Sequence, residues 1–274
     1  MPDTAAARFL AENSRIRTVA IGTPGWVDLQ SSNAEGARKF YTDLFSWSVD
    51  VIADPQAGGY GMFKLGGKDV GGVGPVQNPG QPTVWMPYVL VDDAGATVKR
   101  IKEAGGQVFA EPLDVMGEGT MAVVADPSGA TFGLWQPGRH QGFEVRDVPG
   151  SVTWVELSTR DLPAAEAFYR DVFGWEPADS ELPDKYTVFN FDGNQIAGAL
   201  DMPEMVPQDV PSYWLVYFAA ADADEVAANA KTLGGREIVS PTDIPAVGRF
   251  AVLQDPQGGT FGILQVPSPD EAPS

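Results

Sequence analysis

Cysteine does not occur among the 274 residues, and histidine occurs once. The first absence excludes disulfides, thiolate nucleophiles and cysteine metal sites, and the second removes most zinc, haem and histidine-based acid–base arrangements. Basic residues are scarce as well: 18 lysines and arginines stand against 37 acidic residues, a formal net charge of −19. A field of that sign repels phosphate backbones and anionic headgroups and attracts cations, so neither nucleic acid nor a membrane is expected as a partner. No run of about eighteen consecutive apolar residues occurs, and the N-terminal stretch lacks a signal-type apolar core, which points to a soluble, cytoplasmic protein.

What is present is a hydrophobic fraction of 43% with 31 glycines and 23 prolines, the composition of a globular, turn-rich chain of two ordinary domains. The two domains are copies of each other. W-V-D-L-Q-S from Trp26 returns as W-V-E-L-S-T from Trp154, and F-Y-T-D-L-F-S-W from Phe40 as F-Y-R-D-V-F-G-W from Phe168. D-P-S-G-A-T-F-G-L from Asp126 returns as D-P-Q-G-G-T-F-G-I from Asp255, in nearly the same register. A register held over most of the chain is a tandem duplication. Residues 1–21 form an N-terminal segment, 22–137 the first copy, 138–150 a polar, turn-rich linker, 151–267 the second copy and 268–274 a tail. His140 lies in the linker and reads as a solvated surface residue, with no cluster of ligands at metal spacing around it.

Within the first copy, S-N-A-E from Ser32 is a capping signature, followed by apolar Ala37, Phe40, Tyr41, Leu44 and Phe45 at helical spacing. Short alternating segments over 60–65 and 70–73, and over 186–191 and 196–200 in the second copy, read as strands. A further strand begins at Val84, with Pro87 arguing against a central place in a sheet. A helix from Asp93 then ends at Gly105 and Gly106. D-P-S-G joins two closing strands, with Asp126, Pro127 and Gly129 placed for a type I turn. Each copy is therefore βαβββ written twice, an α+β protein of four such units. The glycine-rich stretch from Leu65 lacks the spacing of a phosphate loop, and G-T-P-G-W from Gly22 lacks the context of a dinucleotide site. No nicotinamide cofactor is expected.

This succession of strand, F-Y-x-x-L/V-F-x-W helix, glycine-rich strands and D-P-x-G hairpin resembles the vicinal oxygen chelate family, which includes glyoxalases, extradiol dioxygenases and bleomycin-resistance proteins. The W-x-D/E-L-x-T/S opening is similar to that of tandem two-domain actinobacterial members and of accessory proteins of anthracycline biosynthesis. The resemblance implies two cupped mixed sheets, each around a hollow. In metal-dependent relatives the ligands stand on the first, fourth, fifth and eighth strands. Here those places fall on Trp26, the 70–72 stretch, Met86 and Gly133, and on Trp154, the 196–198 stretch, Leu215 and Gly262. None is a competent donor for a hard or borderline divalent ion, so no metal or other cofactor is expected.

Strand alternation puts Trp26 with Asp28 on one face and Trp154 with Glu156 on another. An indole beside a carboxylate suits a flat ligand that carries an ammonium group, through aromatic and cation contacts of roughly 1 kcal/mol each. Met86, Tyr88, Trp135 and Tyr217 are expected to line the same hollows, with Gly133 leaving room beside Trp135, whereas Trp47 and Trp175 read as core. Three functions stay open. The first is a metal-free binding protein for a flat aromatic natural product, polyketide or anthracycline-like, acting in sequestration and self-resistance or as an accessory to a biosynthetic enzyme. The second is a metal-independent polyketide-modifying enzyme with Glu156 or Asp28 as general base. The third is a metalloenzyme with oxygen ligands elsewhere in the chain. The chain is expected to act as a monomer or a homodimer.

Overall fold

The computed structural model describes residues 19–180, 186–203, 206–245 and 247–265; most of the N-terminal segment and the whole tail fall outside these described residues. The first copy runs β1 (Pro24–Ser31), α1 (Ala34–Phe45), β2 (Ser48–Val51), β3 (Gly61–Leu65), β4 (Lys68–Pro75), β5 (Val84–Leu90), α2 (Ala94–Glu103), β6 (Gln107–Asp114), β7 (Gly119–Ala125) and β8 (Thr131–Pro137). The second copy repeats it as β9 (Val152–Thr159), α3 (Leu162–Phe173), β10 (Glu176–Asp179), β11 (Thr187–Phe191), β12 (Asn194–Asp201), β13 (Tyr213–Ala219), α4 (Ala223–Thr232), β14 (Arg236–Ile244), β15 (Gly248–Gln254) and β16 (Thr260–Gln265). This is βαβββ four times over, and the fold is α+β.

Each copy makes one eight-stranded mixed sheet from its own strands, in the orders β2-β3-β4-β1-β5-β8-β7-β6 and β10-β11-β12-β9-β13-β16-β15-β14. The four units thus close within the chain. Asparagine and aspartate start the helices: the side chain of Asn33 accepts from the Gly36 N–H, Asp93 from Ala96, Asp161 from Ala164 and Asp222 from Glu225. The first helix is capped one residue later than the Ser32 signature implied, because Asn33 offers the carbonyl oxygen within reach of the first turn. Pro87 corrects a second expectation. It lies in β5, between β1 and β8, and is tolerated because the ladder to β8 begins only at Tyr88.

One hydrophobic core serves both copies. Phe45 of α1 packs on Phe218 of β13 with ring centroids 5.2 Å apart, and Phe132 of β8 packs on Tyr169 of α3 at 5.8 Å. Trp47 and Trp175 fill this core; the Trp47 indole N–H donates to the carbonyl of Gly150 at the end of the linker at 2.7 Å, and that of Trp175 donates across the duplication to the carbonyl of Gly22 at 2.6 Å. The D-P-x-G turns reach across it too. Asp126 Oδ1 accepts from the backbone of Ser128 and Ala130, closing the expected turn, while its Oδ2 accepts from the Tyr169 hydroxyl at 3.2 Å. Asp255 does the same around its own turn and accepts from Tyr41 at 3.0 Å. No helix among the described residues is long and apolar enough to cross a membrane.

Candidate functional site

The face of each sheet turned away from the shared core carries an apolar cluster around a single carboxylate. In the first copy, antiparallel pairing of β1 with β5 sets Trp26 opposite Tyr88 and Asp28 opposite Met86, and parallel pairing of β1 with β4 sets Asp28 opposite Gly72. β8 adds Gly133 beside Tyr88 and Trp135 beside Leu90. The structure therefore brings together all five first-copy residues singled out from the sequence: Trp26, Asp28, Met86, Tyr88 and Trp135. In the second copy the same pairings bring Trp154, Glu156 and Tyr217 together, with Leu215, Gly198 and Gly262.

The carboxylates are held by phenols and indoles. Asp28 Oδ1 accepts from the Trp26 indole at 2.9 Å and from the Tyr60 hydroxyl, and Tyr88 also hydrogen-bonds this carboxylate. Glu156 Oε1 accepts from the Tyr217 hydroxyl at 2.9 Å. Tyr186 bonds to the same carboxylate while its own oxygen accepts from the Trp154 indole at 2.7 Å. Burial raises both carboxyl groups above their ordinary range, opposed by these donors, which favour the anion. The phenols of Tyr60, Tyr88, Tyr186 and Tyr217 are pushed well up, first by burial and then by the neighbouring carboxylate, and stay protonated.

Sequence reasoning missed Tyr60 and Tyr186. Each immediately precedes a strand, β3 or β11, and reaches across β4 or β12 at a glycine: a Cβ on Gly72 or Gly198 would collide with the tyrosine hydroxyl. Their signal was present in the repeat, since Tyr60 and Tyr186 each stand three residues before the buried pair Phe63 and Phe189. Gly133 corrects an expectation in the same way. The room it leaves is filled by the Tyr88 ring, as that at Gly262 is filled by Tyr217.

His140 is the other correction. The imidazole is half-buried rather than fully solvated: it stands edge-on to Trp26 with ring centroids 4.4 Å apart and 5.6 Å from Trp135, and its Nε2 is buried without a hydrogen-bond partner. The linker is sewn to the first copy by Trp135 Nε1 donating to the His140 carbonyl at 3.0 Å and by Phe143 N–H donating to Gly25 O at 2.9 Å. Gly142, at φ +104°, lies so close to that same Gly25 carbonyl that no side chain fits. Phe143 then packs on Trp26 at 5.5 Å. The linker consequently covers the first hollow, where Trp26 is 3% exposed and Asp28 7%. In the second hollow Trp154, Glu156 and Tyr186 are all partly exposed.

The donor set at the positions implied for metal ligands is indole, thioether, aliphatic side chain and glycine around one carboxylate already engaged by phenols. A divalent ion needs several oxygen or imidazole donors converging, and these residues do not fit one. Among the described residues no group of three or more histidines, aspartates or glutamates converges elsewhere.

Comparison with known proteins agrees with this architecture. Residues 23–134 and 151–263 each match the Glyoxalase/Bleomycin resistance protein/Dioxygenase superfamily. CFP32 of Mycobacterium tuberculosis, provisionally named a glyoxylase, is 41% identical over 256 residues, covering 91% of this chain and 97% of that protein. The anthracycline biosynthesis protein DnrV of Streptomyces peucetius is 40% identical over 262 residues, covering 90% and 94%. Among solved structures, the Mn(II)-bound glyoxalase of Novosphingobium aromaticivorans shares the fold at a TM-score of 0.62 and 18% identity, over 92% of this chain and 89% of its own. With two tandem domains of matching sequence and topology, the chain belongs to the Glyoxalase/Bleomycin resistance protein/Dioxygenase superfamily.

Proposed function

We propose that the protein is a metal-free binder of a flat aromatic natural product of the polyketide or anthracycline kind, and that the second hollow is the working site. The observation that carries this reading is the contrast between the copies. One indole–phenol–carboxylate cluster lies under the linker, while its counterpart of Trp154, Tyr186, Glu156 and Tyr217 is open at its outer edge. An aromatic guest would stack on the Trp154 indole, and an ammonium or hydroxyl on its edge would meet Glu156. Leu215 and the partly buried Phe250 and Val252 supply the apolar wall. The similarity to DnrV, named an anthracycline biosynthesis protein, supports this reading, in which the chain acts as an accessory or by sequestering a product. Titration with a panel of aromatic polyketides, amino-sugar anthracyclines first, will quench tryptophan fluorescence saturably, and W154F and E156Q will each weaken binding about tenfold or more. No saturable response anywhere in the panel overturns the reading.

A second reading is favoured by the raised carboxyl of Glu156. A base held by phenols in an apolar hollow, with its proton affinity moved toward neutrality, suits abstraction of an acidic proton from a polyketide-like substrate. Asp28 is the equivalent group but lies beneath the linker. Turnover of a candidate substrate that is lost in E156Q while binding survives supports this role; unchanged turnover removes Glu156 from it.

A further inference from the structure

We infer that the second hollow selects ligands whose inner edge carries hydrogen-bond donors, hydroxyaryl or ammonium groups, and discriminates against the same ring skeleton presenting carbonyl or ether oxygens there. This rests on the reading of that hollow as the ligand site.

The inference comes from counting hydrogens. A tyrosine hydroxyl and an indole N–H have one hydrogen each to donate. The Tyr217 hydrogen is given to Glu156 at 2.9 Å, the Tyr186 hydroxyl bonds to the same carboxylate, and the Trp154 hydrogen is given to the Tyr186 oxygen at 2.7 Å. All three polar hydrogens of the cluster are consumed inside it. What remains is acceptor capacity: a carboxylate has about four lone-pair directions, of which the two phenols use two, and the Tyr217 oxygen keeps a lone pair of its own.

Among the described residues, the apolar side chains packed around the cluster add no donor. Leu215, Phe250 and Val252 are apolar. The backbone of β9 beside Glu156 is engaged on both sides, with β12 and with β13. Arg249, one residue before Phe250, is turned to the other face of β15 and is tied to Asp224 and Asp243. A ligand hydroxyl or ammonium would therefore find an anion and a phenol oxygen waiting. A quinone carbonyl in the same place would meet only lone pairs and lose its bond to water without replacement. The site is one-sided because the carboxylate only accepts and each phenol beside it spends its hydrogen on it.

The test uses three probes of one skeleton on the whole chain: a naphthalenediol, its dimethyl ether and a ring-dimethylated naphthoquinone. Their binding is measured by titration calorimetry at about pH 8, well above the ordinary carboxyl range. The diol is expected to bind at least about tenfold tighter than the ether or the quinone. In E156Q, whose amide brings N–H donors into nearly the same volume, the diol-to-quinone ratio will fall several-fold. In Y217F, which removes a donor and frees a carboxylate lone pair, the preference for the diol will persist. Equal affinities for the three probes, or an E156Q ratio unchanged from that of the parent chain, overturn the inference while leaving the hollow a binding site. Failure of all three probes to bind removes the site itself and the inference with it.

Discussion

The His140 imidazole stands edge-on to the Trp26 indole, 4.4 Å between ring centroids, with Nε2 buried and unpartnered. A polar linker residue thus serves as the cover of an apolar hollow, and its protonation state becomes part of the fold. Burial pulls the imidazole below its usual value; Asp69, Glu118 and Glu144 favour the cation, and Lys64 opposes it. The unfolded chain takes up this proton first, near about pH 6.5. The stabilisation is therefore complete above that pH, declines as pH falls toward the depressed native value, and levels off once the native imidazole is also charged. H140Q lacks this decline. Urea unfolding of both proteins at about pH 7.5 and about pH 5 will show the parent chain losing more stability than the variant; equal losses would mean that the imidazole is not buried in solution. The raised carboxyls of Asp28, Glu156, Asp126 and Asp255 act with the opposite sign, favouring the fold as pH falls, and are common to both proteins.

The cover also sets stoichiometry. With His140 and Phe143 against Trp26, one chain is expected to bind one ligand, in the second hollow. Replacing both linker side chains in H140A/F143A uncovers Trp26 and Trp135, which will red-shift the tryptophan emission. The number of sites found by calorimetry should then rise from one toward two. A red shift without a second site would mean that the first cluster, though exposed, does not bind.

Tyr41 and Tyr169 tie the copies together, each donating to the turn aspartate of the other copy and each accepting from an indole of its own, Trp85 at 2.8 Å and Trp214 at 3.0 Å. Y41F leaves the Asp255 carboxylate short of a donor and the Trp85 N–H without an acceptor, and is expected to cost about 1–3 kcal/mol. Because one core spans both copies, unfolding followed by tryptophan emission and by far-ultraviolet dichroism will give one coincident transition in the parent and in Y41F. Two separated transitions would show that the copies fold independently.

How much of this was legible beforehand depended on whether a residue's role was local. The repeat fixed the order of elements, and strand alternation was enough to place Trp26 with Asp28 and Trp154 with Glu156. The turn role of Asp126 was readable from D-P-S-G, since its partners are two and four residues away. Its bond to Tyr169, 43 positions on, was not, because nothing in a sequence announces that two copies exchange contacts. Tyr60 and Tyr186 were passed over as first residues of strands, although each depends on a glycine across the sheet that only the register brings beside it. His140 misled because polarity suggests solvent, whereas two indoles and the path of the linker decide where it sits.

Those glycines offer a test that separates binding from folding. A methyl group at position 198 collides with the Tyr186 hydroxyl, and one at position 72 with both the Tyr60 hydroxyl and the Asp28 carboxylate. In the second copy the tyrosine borders an open hollow and can swing outward, so G198A is expected to disrupt the Trp154–Tyr186–Glu156 array and weaken ligand binding about tenfold or more, with little loss of stability. In the first copy the added methyl also meets the Asp28 carboxylate, which is buried with Trp26 beneath the linker and has no open side to move into. G72A should therefore cost about 1–3 kcal/mol of stability and leave ligand affinity unchanged. Thermal unfolding and calorimetric titration of both variants give the four values needed. The reverse assignment, with G72A weakening binding and G198A weakening the fold, would place the working site in the first hollow.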